Sequence, residues 1–280
     1  MMATENEAHS DATPSPAAPR AAVRFAALSN TGTFRAANED ACGFYAEGDA
    51  HVVVAVADGV SGFEGGEIAS RTAIDVTLQA YRESPPSWGP SKRLYRAAQQ
   101  ANIDIHDRAL IVTELRGMST TLTAVVVDGN TAYCVHVGDS RLYLVREGEI
   151  EQRSQDHTVA AERRRLGLLS AARFKDHPDR STLTRSLGRE LIAAVDRFSF
   201  PLASHDTLLV CSDGLYNVLE DDELRDHAAE PDPKAACEAI IHAANARGTP
   251  DNLTVAILRM GAVEAREPPA GWRKLVPWLR

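Results

Sequence analysis

The run His51-Val52-Val53-Val54-Ala55-Val56-Ala57 ends in Asp58-Gly59, and that join constrains the fold more than any other stretch. A near-continuous valine run of this length reads as a buried strand. A carboxylate at its end has no place in apolar packing, because a buried unpaired charge is costly. Something must neutralise it. The arrangement recurs at Leu208-Leu209-Val210-Cys211-Ser212-Asp213-Gly214, and more loosely at Tyr133-Cys134-Val135-His136-Val137-Gly138-Asp139. It appears reversed at Asp251-Asn252-Leu253-Thr254-Val255-Ala256-Ile257-Leu258. Aspartates at the ends of strands from distant parts of the chain can converge on one hard cation or two.

An Asp-Gly pair is most often a hairpin turn, and the chain carries its own control. Asp128-Gly129 lies between the apolar runs Leu122 to Val127 and Thr131 to Val135, and is expected to be such a turn. After Asp58-Gly59 and Asp213-Gly214 helical patterns follow instead. Ile74, Leu78 and Tyr81 share one helix face, and Leu94, Ala98, Ala101 and Ile105 share another. Strands are expected at Val23 to Ser29, Ala41 to Ala46 and His51 to Ala57. Met118 to Val127, Thr131 to Val137, Arg141 to Val145 and Glu149 to Gln152 read as an antiparallel meander joined by tight turns at Asp128-Gly129, Asp139-Ser140 and Glu147-Gly148. Ser154 to Gly188 is polar and basic, with Arg163-Arg164-Arg165, and reads as a partly helical excursion or flap. Thr207 to Cys211 is a further strand. Helices follow around Asp222 to Ala229 and Lys234 to Arg247, and Leu253 to Met260 is the last strand. Strands and helices in such groups indicate an α+β layered domain, sheet packed on sheet with helices outside.

The chain has 280 residues, 44% of them hydrophobic and 25% charged, enough to bury a sizeable core in a soluble protein. Its formal net charge of -9 and the lack of a Lys/Arg-rich face argue against duplex nucleic acid as a partner. An acidic protein still binds a phosphorylated substrate when divalent metals supply the local positive charge. Cys42, Cys134, Cys211 and Cys237 are widely spaced without a C-x-x-C pair, which speaks against zinc or a disulfide framework and for a reducing cytoplasm. No apolar run approaches the roughly 18 residues of a membrane span. Residues 1–21 are polar and Pro-containing, lack the apolar core of a signal peptide and are expected to be disordered. Residues 263–280 form an amphipathic tail carrying Trp272 and Trp278, for which docking on the body is the simplest role. The domain proper spans 22–262, with the flap at about 154–188.

Oxygen-only ligands suit magnesium or manganese rather than zinc. The candidates are Asp40, Asp58, Asp139, Asp213 and Asp251, with the Gly59 carbonyl where no side chain crowds it. Two such ions, roughly 3.5–4 Å apart, hold and acidify a bridging water suited to in-line attack on phosphorus. Arg35, shortly before Asp40, is the best-placed planar fork for phosphoryl oxygens. Taken singly, each residue also has a plainer role. Asp58 and Asp213 could cap helices, Asp139 could sit in a hairpin, Asp251 could begin a strand, and Glu39-Asp40 could be a solvated loop pair.

Eight segments in order carry a resemblance: Arg35-Ala36-Ala37-Asn38-Glu39-Asp40-Ala41, Val56-Ala57-Asp58-Gly59-Val60-Ser61-Gly62, Gly117-Met118-Ser119-Thr120-Thr121, Val137-Gly138-Asp139-Ser140-Arg141, Asp156-His157-Thr158, Leu183-Thr184-Arg185-Ser186-Leu187-Gly188, Cys211-Ser212-Asp213-Gly214-Leu215 and Thr249-Pro250-Asp251-Asn252-Leu253-Thr254. Over about residues 22 to 262 the chain resembles the metal-dependent serine/threonine protein phosphatases of the PPM family (type 2C), bacterial branch.

The resemblance implies a four-layer α-β-β-α sandwich of two antiparallel sheets and a centre of two Mn2+ or Mg2+ ions. It implies Asp58, the Gly59 carbonyl, Asp213 and Asp251 as ligands, Asp40 and Glu39 reaching the metals directly or through water, and Asp139 towards a third ion. Arg35 matches the phosphate-binding arginine, and Arg35, Asp58 and Asp213 are the expected catalytic residues. The substrate would be phosphoserine or phosphothreonine on a protein modified by a partner kinase. Two departures stand out. Asn217 occupies a position where many relatives carry Asp, which weakens the third site. Val60 stands where animal relatives carry a proposed acid, which leaves leaving-group protonation to water. His157 matches a family position, and its own plainer role is structural. The competing readings are a catalytically weak phosphoprotein-binding relative and a phosphohydrolase of small esters.

Overall fold

The computed structural model describes residues 22–60, 65–174 and 176–262. The terminal segments read above as a disordered leader and an amphipathic tail lie outside them.

The described strands form two five-stranded antiparallel sheets. The first orders β1 (Val23–Asn30), β10 (Leu253–Met260), β9 (Thr207–Cys211), β6 (Arg141–Arg146) and β7 (Glu149–Gln152). The second orders β2 (Asp40–Ala46), β3 (His51–Asp58), β4 (Leu122–Asp128), β5 (Thr131–Val137) and β8 (Asp196–Pro201).

The valine run explains the layering. Side chains alternate across a strand, so Val52, Val54 and Val56 point into the apolar layer between the sheets, with Leu208, Val210, Ala256 and Leu258 opposite. Val53, Ala55 and Ala57 point the other way, onto α1 (Gly66–Glu83) and α2 (Pro90–Ile111). The two helices meet this face through Ile74, Tyr81, Leu94, Ala98, Ala101 and Ile105, all buried. The first sheet does the same on its outer side. Leu209, Val255 and Ile257 pack against Leu224 of α6 (Asp221–Ala228) and against Ile240 and Ala244 of α7 (Pro233–Ala246). Three apolar layers between four structural layers make the expected α-β-β-α sandwich. Each buried aliphatic side chain contributes roughly 1.5–3 kcal/mol, so strands apolar on both faces are stable only where both faces are covered.

One expectation needs correction. Asp128-Gly129 is a hairpin, with Asp128 opposite Thr131, but Asp139-Ser140 is not. β5 belongs to one sheet and β6 to the other, so the expected meander breaks there and the chain crosses the sandwich. Gly138 makes the crossing possible. Its φ is +104°, and a Cβ on it would lie 2.5 Å from the Thr121 methyl. β8 was also not foreseen. Its sequence DRFSFP shows only weak alternation, and it lies at the sheet edge beside β5. The 154–188 excursion is partly helical as expected, with α3 (Val159–Arg165), α4 (Ala171–Phe174) and a short 3-10 turn at Pro178–Ser181.

Candidate metal centre and active-site cleft

The register brings the aspartates to one end of the sandwich. Asp40 opens β2 and pairs directly with Asp58 at the close of β3. In the other sheet Cys211 lies opposite both Val255 and Arg141. That places Asp213, just past β9, near Asp251, just before β10, and near Asp139, just before β6. A single cleft of about 950 Å³ is lined by Arg35, Asp58, Gly59, Asp139, Asp213 and Asp251. Asp40 and Glu39 are not in that lining. Asp40 is buried behind it, and the Glu39 carboxylate lies against Gly66 at the start of α1.

The capping roles of Asp58 and Asp213 fail on geometry. The residue preceding α1 is Gly65, not Asp58. α5 (Asp213–Tyr216) is preceded by Ser212, with Asp213 already in its first turn. Both carboxylates are left to the cleft.

Burial and mutual repulsion dominate the electrostatics. Burial pushes the Asp58 carboxyl well above the usual carboxylate range, and Asp40, Asp213, Asp139 and Asp251 push it further. Asp139 is raised in the same way, by burial and then by Asp213. Asp213 is pushed up to about 6, by burial first and Asp251 next, with Asn217 pulling it back. Asp40 rises to about 7 through burial, against the lowering effect of hydrogen bonds from Ser212 and Thr254. Carboxylates that raise one another's pKa call for a cation, and all the donors are oxygen, the preference of magnesium and manganese. Among the described residues, no three His, Cys, Asp or Glu side chains close on a common point as a finished cage. Gly59 fits the cation reading. A Cβ there would lie 2.3 Å from the Gly66 carbonyl oxygen and 2.7 Å from that of Glu39, so only glycine lets the backbone pass. The donor set therefore fits hard divalent cations.

Short polar side chains hold the donors in place. Thr121 Oγ1 accepts from the Asp58 amide at 2.9 Å, and the Thr121 amide and Thr120 hydroxyl both donate to the Asp58 carbonyl. The buried Asn252 side chain ties down the loop that carries Arg35. Its amide donates to the Thr31 and Ala37 carbonyls, and its Oδ1 accepts from the Glu39 amide. Arg35 donates through Nε to the Pro250 carbonyl at 3.0 Å and pairs through Nη2 with Asp251 Oδ1 at 2.9 Å. The phosphate-binding candidate thus stands beside a metal-ligand candidate. Tyr216 donates its hydroxyl to the Asp139 carbonyl at 3.0 Å, under the Arg141 guanidinium. Asn217 donates to Asp213 Oδ2 at 3.1 Å. His157 clasps the sheet crossing. It accepts from the Gly138 amide through Nδ1, donates its own amide to the Gly138 carbonyl, and places Nε2 3.1 Å from Asp196. Sequence reasoning assigned no role to Ser212, Thr121, Asn252 or Tyr216. Ser212 and Asn252 adjoin Asp213 and Asp251 in the sequence, whereas Thr121 stands next to no candidate aspartate.

Fold and site define a class first: a four-layer sandwich whose two sheets present carboxylates to one cleft, suited to hard divalent cations. A protein-family profile described as Protein phosphatase 2C matches residues 35–255. The chain belongs to the protein phosphatase 2C family. It is 32% identical over 242 residues to the serine/threonine phosphatase Stp of Listeria welshimeri, covering 83% of this chain and 94% of that one. It is 33% identical over 236 residues to the serine/threonine protein phosphatase PstP of Mycobacterium tuberculosis, covering 84% of this chain and 44% of the longer relative. The crystal structure of the M. tuberculosis PstP/Ppp phosphatase superposes with a TM-score of 0.77 at 32% identity, covering 86% of this chain and 99% of that one. A structure of the PstP catalytic domain in complex with two manganese ions superposes with a TM-score of 0.75 at 30% identity, over the same shares of the two chains.

Proposed function

We propose that this chain is a metal-dependent protein phosphatase that hydrolyses phosphoserine and phosphothreonine on proteins, with residues 22–262 as its catalytic unit and about 154–188 as a flap. The observation that carries the reading is the meeting of Arg35, Asp58, Gly59, Asp139, Asp213 and Asp251 in one cleft. Asp58, the Gly59 carbonyl, Asp213 and Asp251 would hold two Mn2+ or Mg2+ ions, backed by Asp40 and Glu39. When bound, such ions would lower the pKa of a coordinated water, the chemistry that attack on phosphorus needs.

The chain's own residues do the rest. Arg35, fixed by Pro250 and Asp251, presents a planar fork that orients two phosphoryl oxygens and counters the charge that develops on them. Thr120 and Thr121 keep the Asp58 backbone from shifting as charge is rearranged. Val60, in the lining, has no ionisable proton to give, and protonation of the leaving alkoxide is assigned to water. Asp139 would serve a third ion. Asn217, uncharged and already donating to Asp213, weakens that site. A partner serine/threonine kinase supplies the substrate.

A cytoplasmic location is consistent with the free cysteines Cys42, Cys134, Cys211 and Cys237. Among the described residues no helix is long and apolar enough to cross a membrane.

The test is phosphate release from a phosphothreonine peptide with manganese, with chelator in excess, and against nucleotides and sugar phosphates at equal concentration. Release from the peptide that stops on chelation supports the reading. Release confined to the small esters assigns the cleft to a different substrate class.

A further inference from the structure

The cleft is larger than a phosphoryl group needs. About 950 Å³ is room for several residues of a peptide. Its lining carries both signs. The acidic residues that line it are Asp58, Asp139, Asp213 and Asp251, and the basic ones are Arg35, already paired with Asp251, together with Arg116, Arg180 and Arg189. On a chain of net charge -9, an arginine rim is a local feature rather than a reflection of composition.

The arginines come from separate elements. Arg116 follows the 3-10 turn at Thr113–Leu115, and Arg180 lies in the Pro178–Ser181 turn of the excursion. Arg189 follows Gly188, whose backbone is pinned to α2 by Asn102. Arg180 reaches the floor electrostatically, lowering the Asp213 carboxyl. Arg116 and Arg189 are exposed, and among the described residues neither makes an ion pair. Other arginines are committed to internal carboxylates: Arg141 to Asp156, Arg146 to Asp206, Arg185 to Asp196.

We propose that Arg116 and Arg189 make this rim a specificity element that selects phosphorylated sites flanked by acidic residues. The proposal rests on the phosphatase reading above and names the substrate class for the same cleft. With the phosphoryl group at the floor, the flanking residues of an extended peptide cross the rim. Acidic flanks there meet arginines without an internal partner, and basic flanks meet like charge. Such complementarity acts mainly on encounter and register, and is weakened by salt.

Two phosphothreonine peptides, identical except for Glu or Gln at the flanking positions, test it with the manganese-loaded full chain. The expected kcat/KM ratio favours the Glu peptide by about tenfold at low salt, the scale of a few exposed charge contacts, and shrinks as NaCl is added. In the double variant Arg116→Ala with Arg189→Ala the ratio falls to about one. In Arg116→Glu with Arg189→Glu it inverts. A ratio near one in the wild type, or one that survives both double variants, overturns the proposal. Release of phosphate from p-nitrophenyl phosphate is measured beside it. If neither ester nor peptide is turned over, the phosphatase reading has failed. The rim is then judged by binding alone, and equal fluorescence-anisotropy affinities for the two peptides overturn it.

Discussion

The Ser212 hydroxyl, at the end of β9 in one sheet, donates to Asp40 Oδ2 at the start of β2 in the other, 2.7 Å away. This bond spans the sandwich at the end where the cleft opens. Ser212 Oγ also accepts from the Thr254 amide at 3.0 Å, so one buried hydroxyl sets the spacing of three strands. Ser212→Ala leaves the buried Thr254 amide without its acceptor and Asp40 with one hydrogen bond fewer, and is expected to cost about 1–3 kcal/mol. A urea melt reads that loss, and a manganese titration of the same variant should show weaker binding if Asp40 backs the proposed ligand set. Unchanged stability with unchanged manganese affinity would remove Ser212 from the site.

Asp213 shows the cost of gathering carboxylates. Burial and Asp251 raise its pKa to about 6, so the ionised form is disfavoured where it stands. Asp213→Asn is expected to raise the melting temperature measured in chelator, by about 2–4 °C for each kcal/mol of repulsion removed. It should also abolish stabilisation by manganese, which for the wild type is about 2.7 kcal/mol at a hundredfold excess over Kd. Thermal melts with and without manganese read both effects.

Gly59 tests the backbone donor. The Cβ of Gly59→Ala would come 2.3 Å from a backbone oxygen of Gly66, and the start of α1 cannot yield as a flexible side chain would. A loss of stability of a few kcal/mol is expected, together with loss of phosphate release. Calorimetry with an activity assay separates this from a harmless surface change.

His136 supplies a pH dependence. It is buried in β5, accepts at Nδ1 from Thr123 and donates through Nε2 to the Gln155 carbonyl. Burial, then the neighbouring His157 ring, pushes it down to about 4. The unfolded chain therefore binds a proton between about pH 6.5 and 4 that the folded chain refuses. The stability tied to this neutral ring is fully present above about pH 6.5 and is lost as pH falls towards 4, at up to about 1.4 kcal/mol per unit. The raised carboxylates act in the opposite sense, losing stability as pH rises. The difference between wild type and His136→Gln isolates the histidine. Urea midpoints from pH 7 to 4.5 should fall less steeply in the variant.

Asp58, Asp139 and Asp213 were legible because each closes an apolar run and Asp251 because it opens one, and the layering because the valine run demands cover on both faces. Arg35 was legible from its place before Asp40. The crossing at Gly138 was not. Asp139-Ser140 looks like any tight turn, and only the positive φ of Gly138 and its contact with Thr121 distinguish it. β8 was missed because Asp196 and Arg197 mask its alternation and an edge strand needs one apolar face. Ser212, Thr121 and Asn252 act through hydrogen bonds to residues far away in sequence, for which short polar side chains leave no periodic trace.

The most direct measurement is a calorimetric manganese titration of the full chain, repeated with Asp58→Asn and Asp213→Ala, with phosphate release from a phosphothreonine peptide followed in the same samples. The wild type is expected to take up two ions per chain and to release phosphate only when they are bound. Asp213→Ala should lose at least one ion and about 10²-fold or more in turnover. Turnover that continues in chelator, or full manganese uptake by both variants, would contradict a metal centre built from these strand-end aspartates.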